Sequence, residues 1–159
     1  MNISSNNRVL VIGYGNTLRG DDALSQLVAE SLADKKSSNL LAMSVTQLVP
    51  ELAMLVASAR AVIFVDVCAD RGQKEIEVRE LLPACPLAQR IHSTGPRELL
   101  AYARFCYDRS PPAWLVAIPG FNFEQSDPLS DTAKAQLANA KQQVQQLIGT
   151  VLDDKVVHA

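Results

Sequence analysis

Three ionisable side chains stand at positions from which they could form one small site for a cation. Asp22 follows a short apolar run and a glycine pair, Asp66 follows the most strongly apolar run, and His92 precedes a predicted helix. Two carboxylates and an imidazole make an O,O,N donor set that suits a borderline divalent cation such as Ni²⁺ or Zn²⁺. Three protein ligands would also leave an open position for water or a substrate atom.

Each of these residues also has a purely structural interpretation. Asp is a preferred N-cap residue, so Asp21 or Asp22 can cap the following helix, which is worth roughly 0.5–2 kcal/mol. Two adjacent carboxylates exceed what one cap requires, and on local evidence a cap and a functional role are equally supported. Asp66 can simply begin a loop, and His92 can be an ordinary surface histidine. Cys68 is interpreted as a small buried apolar residue rather than a nucleophile.

The pair Gly13 and Gly15 raises the alternative of a dinucleotide-binding loop. That fingerprint requires a third glycine three positions after the second, where this chain has Leu18. A helix N-terminus favours an anion, but Asp21 and Asp22 occupy that place and would repel phosphates. We therefore expect no NAD(P) binding, and a nucleotide-dependent oxidoreductase remains an alternative to a cation site.

The apolar patterns predict strands and helices in alternation. Continuous branched runs indicate buried parallel strands, and spacings of three and four residues indicate amphipathic helices. The predicted strands are 9–12, 40–45, 61–65, an edge strand at 75–80, and 114–118. The predicted helices are about 22–34, one starting at Pro50, 96–107, and one from an N-cap at Ser130 to about 152.

This order predicts an α/β fold, a three-layer α/β/α sandwich around a mostly parallel, doubly wound sheet of about five strands. We expect one domain over residues 1–159. The carboxyl ends of parallel strands open on one crevice, which would bring Asp22, Asp66 and His92 together.

The helical spacing also predicts which side chains enter the core. In the first helix, Leu24, Leu27, Val28, Ser31 and Leu32 recur at helical spacing. The second should bury Leu52, Leu55 and Val56, and the third should bury Leu99, Leu100, Ala103 and Phe105.

The composition excludes several classes of protein. The chain has 159 residues, 48% of them hydrophobic, and a net charge of −2, which leaves no basic surface for nucleic acid or an anionic membrane. No apolar run reaches membrane-spanning length. Its three cysteines contain no CxxC pair, which argues against a disulfide framework and a structural zinc site. We expect a cytoplasmic protein without a nucleic-acid or membrane partner.

Residues 13–22 read Gly-Tyr-Gly-Asn-Thr-Leu-Arg-Gly-Asp-Asp. This segment resembles the Gly-x-Gly-Asn-x-Leu-x-x-Asp-Asp/Glu motif of the hydrogenase maturation endopeptidases, which trim a C-terminal extension from the large-subunit precursor of a [NiFe] hydrogenase after nickel insertion. The resemblance implies that Asp22, Asp66 and His92 are the catalytic and metal-contacting residues. It further implies that the precursor carries the nickel, so that a permanent metal is not required.

Other segments resemble the branch of this family that serves bidirectional, NAD(P)-linked hydrogenases of cyanobacterial type: 47–52, 95–100 after His92, 123–124 and 129–130. Relatives usually carry Gly at the position of Ser25, so the packing of the first helix is expected to differ. Many carry Asp-Gly-Gly-Thr where this chain has Thr46-Gln47-Leu48. The resemblance implies substrate-binding roles for Asn16, Thr46 and Gln47. A non-catalytic, nickel-dependent assembly factor with the same partner is an alternative.

Overall fold

The chain folds into a sheet with helices on both faces. In a computed structural model, the described residues are 6–15, 20–33, 38–68, 75–85, 94–120 and 131–157. Their strands are β1 (Val9–Tyr14), β2 (Leu40–Val45), β3 (Ala61–Cys68), β4 (Glu77–Leu81) and β5 (Ala113–Pro119). Their helices are α1 (Leu24–Ala33), α2 (Ala53–Ser58), α3 (Pro96–Tyr107) and α4 (Asp131–Val157), with 3-10 helices at Gly20–Ala23 and Pro50–Leu52.

The five strands form one sheet in the order β2-β1-β3-β5-β4. β1, β2, β3 and β5 are parallel, and β4 pairs with β5 as an antiparallel edge strand. The predicted mostly parallel sheet of about five strands is therefore confirmed. From β1 the chain passes to β2 on one side and then crosses to β3 on the other side of β1. The carboxyl ends of β1 and β3 therefore form the topological switch point of the sheet. Open parallel sheets bind their ligands at this point.

Alternating strand residues pack into two separate core layers, one on each face of the sheet, because successive side chains of a strand point to opposite faces. Odd-numbered residues of β1 and β3 pack against α1 and α4, and even-numbered residues pack against α2 and α3. The first layer includes Val9, Val11, Ile63, Val65, Leu24, Val28, Leu32 and Val144. The second includes Leu10, Ile12, Val62, Phe64, Leu52, Val56, Leu99, Leu100 and Ala103. These layers confirm the predicted α/β/α architecture.

Two predicted core residues are exposed instead. Phe105 is 86% exposed and Leu55 is 36% exposed. Leu99, Leu100 and Ala103 already cover the sheet-facing side of α3, and Phe105 lies about 200° around the helix from Ala103 at 100° per residue. The periodicity gave the correct helix but included a residue from its outer side.

Several elements are longer than predicted. β3 continues past Val65 to Cys68, so Asp66 lies within the strand, in register with Ala117 of β5. The apolar run ends at Val65, but the pairing with β5 continues. α4 likewise extends to Val157, and the first predicted helix divides into the Gly20–Ala23 3-10 helix and α1. Ser130, the predicted N-cap, lies outside the described residues, and so does Asp34.

None of the helices in the described part of the chain combines the length and the apolar character that crossing a bilayer requires.

Candidate functional site

The glycine pair after β1 allows a helical segment to lie directly against the end of this strand. Gly15 has a φ of +154°, and a Cβ atom there would lie 2.4 Å from the carbonyl oxygen of Asp22 and 3.0 Å from its Oδ1. A Cβ atom at Gly13 would lie 2.1 Å from the carbonyl oxygen of Ser25. Side chains at either position would therefore push the Asp22 segment and α1 away from the sheet.

Two buried polar side chains of α1 fix this close approach. The Ser25 hydroxyl donates to the carbonyl oxygen of Tyr14 at 2.5 Å and lies 3.3 Å from that of Asp22. The Gln26 side-chain amide donates to the carbonyl oxygens of Gly15 and Val45, the latter at 2.9 Å. The expectation that packing would differ at Ser25 is thus refined: α1 still packs tightly on β1, and the serine adds hydrogen bonds to that contact.

The two adjacent aspartates have different surroundings. Asp21 is completely buried, whereas Asp22 is partly exposed, and both take part in polar or electrostatic interactions. Both lie inside the Gly20–Ala23 3-10 helix, and α1 begins at Leu24. Asp22 lies close enough to Asp66 and Tyr14 for its charge to act on both. The charge of the second aspartate of the pair therefore acts on the other carboxylate.

Tyr14 ends β1, and Asp66 lies two residues before the end of the neighbouring strand β3, on the face covered by α2 and α3. The Tyr14 hydroxyl donates a hydrogen bond to the Asp66 carboxylate, and its ring packs against the apolar layer beneath α2 and α3. Burial raises the pKa of Asp66 from 3.8 to about 6; hydrogen bonds from Tyr14 and the Val67 backbone N–H oppose this rise, and the negative charge of Asp22 adds to it. Near neutral pH the Asp66 carboxylate is ionised at an energetic cost.

Tyr14 is a site residue that the sequence analysis did not identify. Burial raises the pKa of Tyr14 above its ordinary value, and the negative charge of Asp66 raises it further, so the phenol stays protonated and acts as a donor. The alternation of β1 could have revealed it, since Leu10, Ile12 and Tyr14 share one face of the sheet. Cys68 is half-buried and follows Asp66 by two residues on β3. It also lies near Tyr14.

The structure brings together two of the predicted site residues, Asp22 and Asp66. His92 and Asn16 lie outside the described residues. Thr46 and Gln47 are exposed directly after β2, next to the bond from the Gly15 N–H to the Val45 carbonyl oxygen at 3.2 Å. Within the part of the chain that the structure describes, no three His, Cys, Asp or Glu side chains are grouped so that they could hold a metal ion.

Several solved structures with the same fold are maturation proteases and endopeptidases. The chain is similar to the [NiFe] hydrogenase maturation protease HycI from Thermococcus kodakarensis, with 22% identity, a TM-score of 0.68, and 92% of this chain and 93% of that chain covered. It is also similar to the hydrogenase maturating endopeptidase HybD from E. coli, with 20% identity, a TM-score of 0.67, and coverages of 86% and 89%.

A further similar structure is an endopeptidase from Escherichia coli, with 22% identity, a TM-score of 0.70 and 93% of each chain covered. The sequence matches no protein-family model and no curated protein. At these identities the similarity establishes a shared fold over nearly the whole length of each chain.

Proposed function

We propose that this protein is an endopeptidase that removes the C-terminal extension of a [NiFe] hydrogenase large-subunit precursor after nickel has been inserted. The observation that carries this proposal is the meeting of Asp22 and Asp66 at the switch point of a fold shared with maturation proteases. The two carboxylates come from different elements, and each is held by its own set of contacts. The resemblance of residues 13–22 to the family motif supports the same function.

The chemistry of the pair suits recognition of a cation that the substrate brings. Asp66 is half-buried and close to a second negative charge. A cation bound between the two carboxylates would therefore offset both the loss of solvation and the repulsion between the charges. We assign Asp22, Asp66 and His92 as the residues that contact nickel carried by the precursor. Oxygen and imidazole donors would contact such a nickel ion without removing it from softer thiolate ligands. The nickel is then part of the substrate, and its contacts orient the scissile bond.

We assign substrate-binding roles to Asn16, Thr46 and Gln47. Thr46 and Gln47 are exposed beside the strand ends, where a bound polypeptide could reach them. We place the cognate precursor among bidirectional, NAD(P)-linked hydrogenases of cyanobacterial type, from the sequence segments that resemble that branch. Cys68, Cys85 and Cys106 form no disulfide, which agrees with a protein of the reducing cytoplasm.

The direct test is the intact mass of a cognate large-subunit precursor before and after incubation with the protein. We expect the nickel-loaded precursor to lose its C-terminal extension and the nickel-free precursor to stay intact. Asp22→Ala, Asp66→Ala and His92→Ala should each abolish cleavage. Asp153→Asn, which changes an exposed carboxylate on α4, should cleave like wild type. Wild-type rates in Asp22→Ala and His92→Ala would refute the site assignment.

Two other outcomes would support different functions. A stable complex with the precursor, without any change of mass, would indicate a non-catalytic assembly factor. Micromolar binding of NAD(H) or NADP(H) would support an oxidoreductase. We expect no such binding, because Asp22 lies against Gly15 at the place where a dinucleotide loop holds phosphates.

A further inference from the structure

Tyr14 connects the two carboxylates of the candidate site through separate parts of its structure. Its side-chain hydroxyl donates to the carboxylate of Asp66 on the neighbouring strand. Its main-chain carbonyl oxygen accepts the hydroxyl of Ser25, which also lies 3.3 Å from the carbonyl oxygen of Asp22. One tyrosine thus has hydrogen-bonded links both to β3 and to the helical segment that carries Asp22.

This connection is built from buried and half-buried groups. Ser25 is completely buried, and Tyr14 is half-buried, with its ring in the apolar layer beneath α2 and α3. A hydrogen bond shielded from water is stronger and more directional than one at the surface. The phenol therefore restricts the rotation of the Asp66 carboxylate, and the serine restricts the position of the Asp22 backbone.

We propose that Tyr14 and Ser25 are positioning residues, which set the orientation of the Asp66 carboxylate and its separation from Asp22. The proposal rests on the proposed function for its catalytic consequence, but the positioning itself is a property of the free protein. Two carboxylates can share a cation only when their oxygens are spaced to fit it. A partner that holds a ligand-bearing carboxylate typically changes metal affinity or activity 10- to 100-fold when it is removed.

The proposal also gives a reason for the serine at position 25. The family pattern has glycine there, and glycine has no hydroxyl to bond with a strand carbonyl. In this chain the close backbone contact between α1 and β1 is provided by Gly13, whose hydrogen faces the Ser25 carbonyl. The side chain of residue 25 is therefore available to link Tyr14 with the Asp22 segment.

The test removes single hydroxyl groups. Tyr14→Phe and Ser25→Ala are compared with Tyr107→Phe, which removes the hydroxyl of a half-buried tyrosine in the last turn of α3, at the opposite edge of the sheet. For cleavage of nickel-loaded precursor we expect Tyr14→Phe to lower kcat by about 10- to 100-fold, with KM changed less than twofold. Tyr107→Phe should keep the wild-type kcat. Because Tyr14→Phe keeps the main-chain carbonyl oxygen that accepts the Ser25 hydroxyl, the two variants remove separate contacts, and the double variant should be slower than either single variant.

Crystal structures of the variants separate this proposal from the proposed function. In Tyr14→Phe we expect the Asp66 carboxylate to rotate or to occupy several orientations, and in Ser25→Ala we expect the Asp22 segment to shift. An Asp66 carboxylate in its wild-type orientation in Tyr14→Phe would overturn the proposal, whether or not the wild-type protein cleaves the precursor. An unchanged kcat in Tyr14→Phe, with an active wild-type protein, would overturn it as well.

Discussion

Replacement of Asp66 by Asn should make the protein more stable at neutral pH while it abolishes the proposed activity. Burial raises the pKa of Asp66 from 3.8 to about 6, so the native state holds this proton more tightly than the unfolded chain does. As pH rises through this window, the unfolded chain releases the proton first, and the free energy of unfolding falls. Above about pH 6 the free energy of unfolding falls no further, because Asp66 is then ionised in both states. Asn has nearly the same shape but no charge, so the variant avoids this loss.

The size of the effect follows from the shift in the pKa of Asp66. A rise of about two units corresponds to about 3 kcal/mol at most. The linkage relation gives Asp66→Asn an advantage in the free energy of unfolding of about 1 kcal/mol at pH 4.5 and about 3 kcal/mol at pH 7.5. For a protein of this length, the larger value corresponds to a rise in Tm of roughly 6–12 °C.

The assay is urea unfolding, followed by circular dichroism, of both proteins at several pH values from 4.5 to 8. Asp153→Asn is the matched control, since it makes the same chemical change at an exposed position of α4; its effect should be small and independent of pH. The reasoning fails if Asp66→Asn is less stable than wild type at pH 7.5. It also fails if the difference between the two proteins is the same at pH 4.5 and at pH 7.5.

Three further substitutions test individual contacts around the site. In thermal unfolding, Gly13→Ala should lower the free energy of unfolding by about 1–3 kcal/mol, because the added methyl group overpacks the contact with α1. The control Gly149→Ala adds a methyl group with nothing within 4 Å and should raise the free energy of unfolding by up to about 1 kcal/mol. Gln26→Leu should lower it by about 1–3 kcal/mol in urea unfolding, because two strand-end carbonyl groups lose their donor. Tyr14→Phe should raise the pKa of Asp66 above about 6, as seen by carboxyl NMR titration, because the lost hydrogen bond lowers that pKa; an unchanged or lower pKa would contradict this contact.

Local patterns along the sequence identified most of the fold. β2 and α3 have the predicted boundaries, 40–45 and 96–107, because a clear apolar period is flanked there by Pro or by polar residues. The predicted end of β3 at Val65 was wrong, because the strand continues to Cys68, where its pairing with β5 ends. Asp66 pairs with Ala117 although it interrupts the apolar run. The sequence of a single strand does not contain that information.

The sequence also indicated that Asp22 and Asp66 lie near each other, but not how they are held. Spacing identified Asp22 and Asp66, since polar residues that follow two buried runs meet at one edge of a parallel sheet. Tyr14 was missed because a tyrosine after an apolar run is read as a core residue, and its hydroxyl has a function only beside Asp66. The different surroundings of Asp21 and Asp22 also depend on contacts between distant parts of the chain.

α4 has a consequence for the order in which this protein can complete its folding during synthesis. Its core side chains, Ala140, Val144 and Val151, close a layer whose strands, β1, β3 and β5, all precede it in the chain. Arg60 donates to the carbonyl oxygens of Val151 and Leu152 at 3.1 Å each, so the start of β3 is joined to a helix that is translated much later. A nascent chain without α4 therefore presents an apolar sheet face to its surroundings, and chaperones that bind such faces should associate with it until that helix emerges from the ribosome.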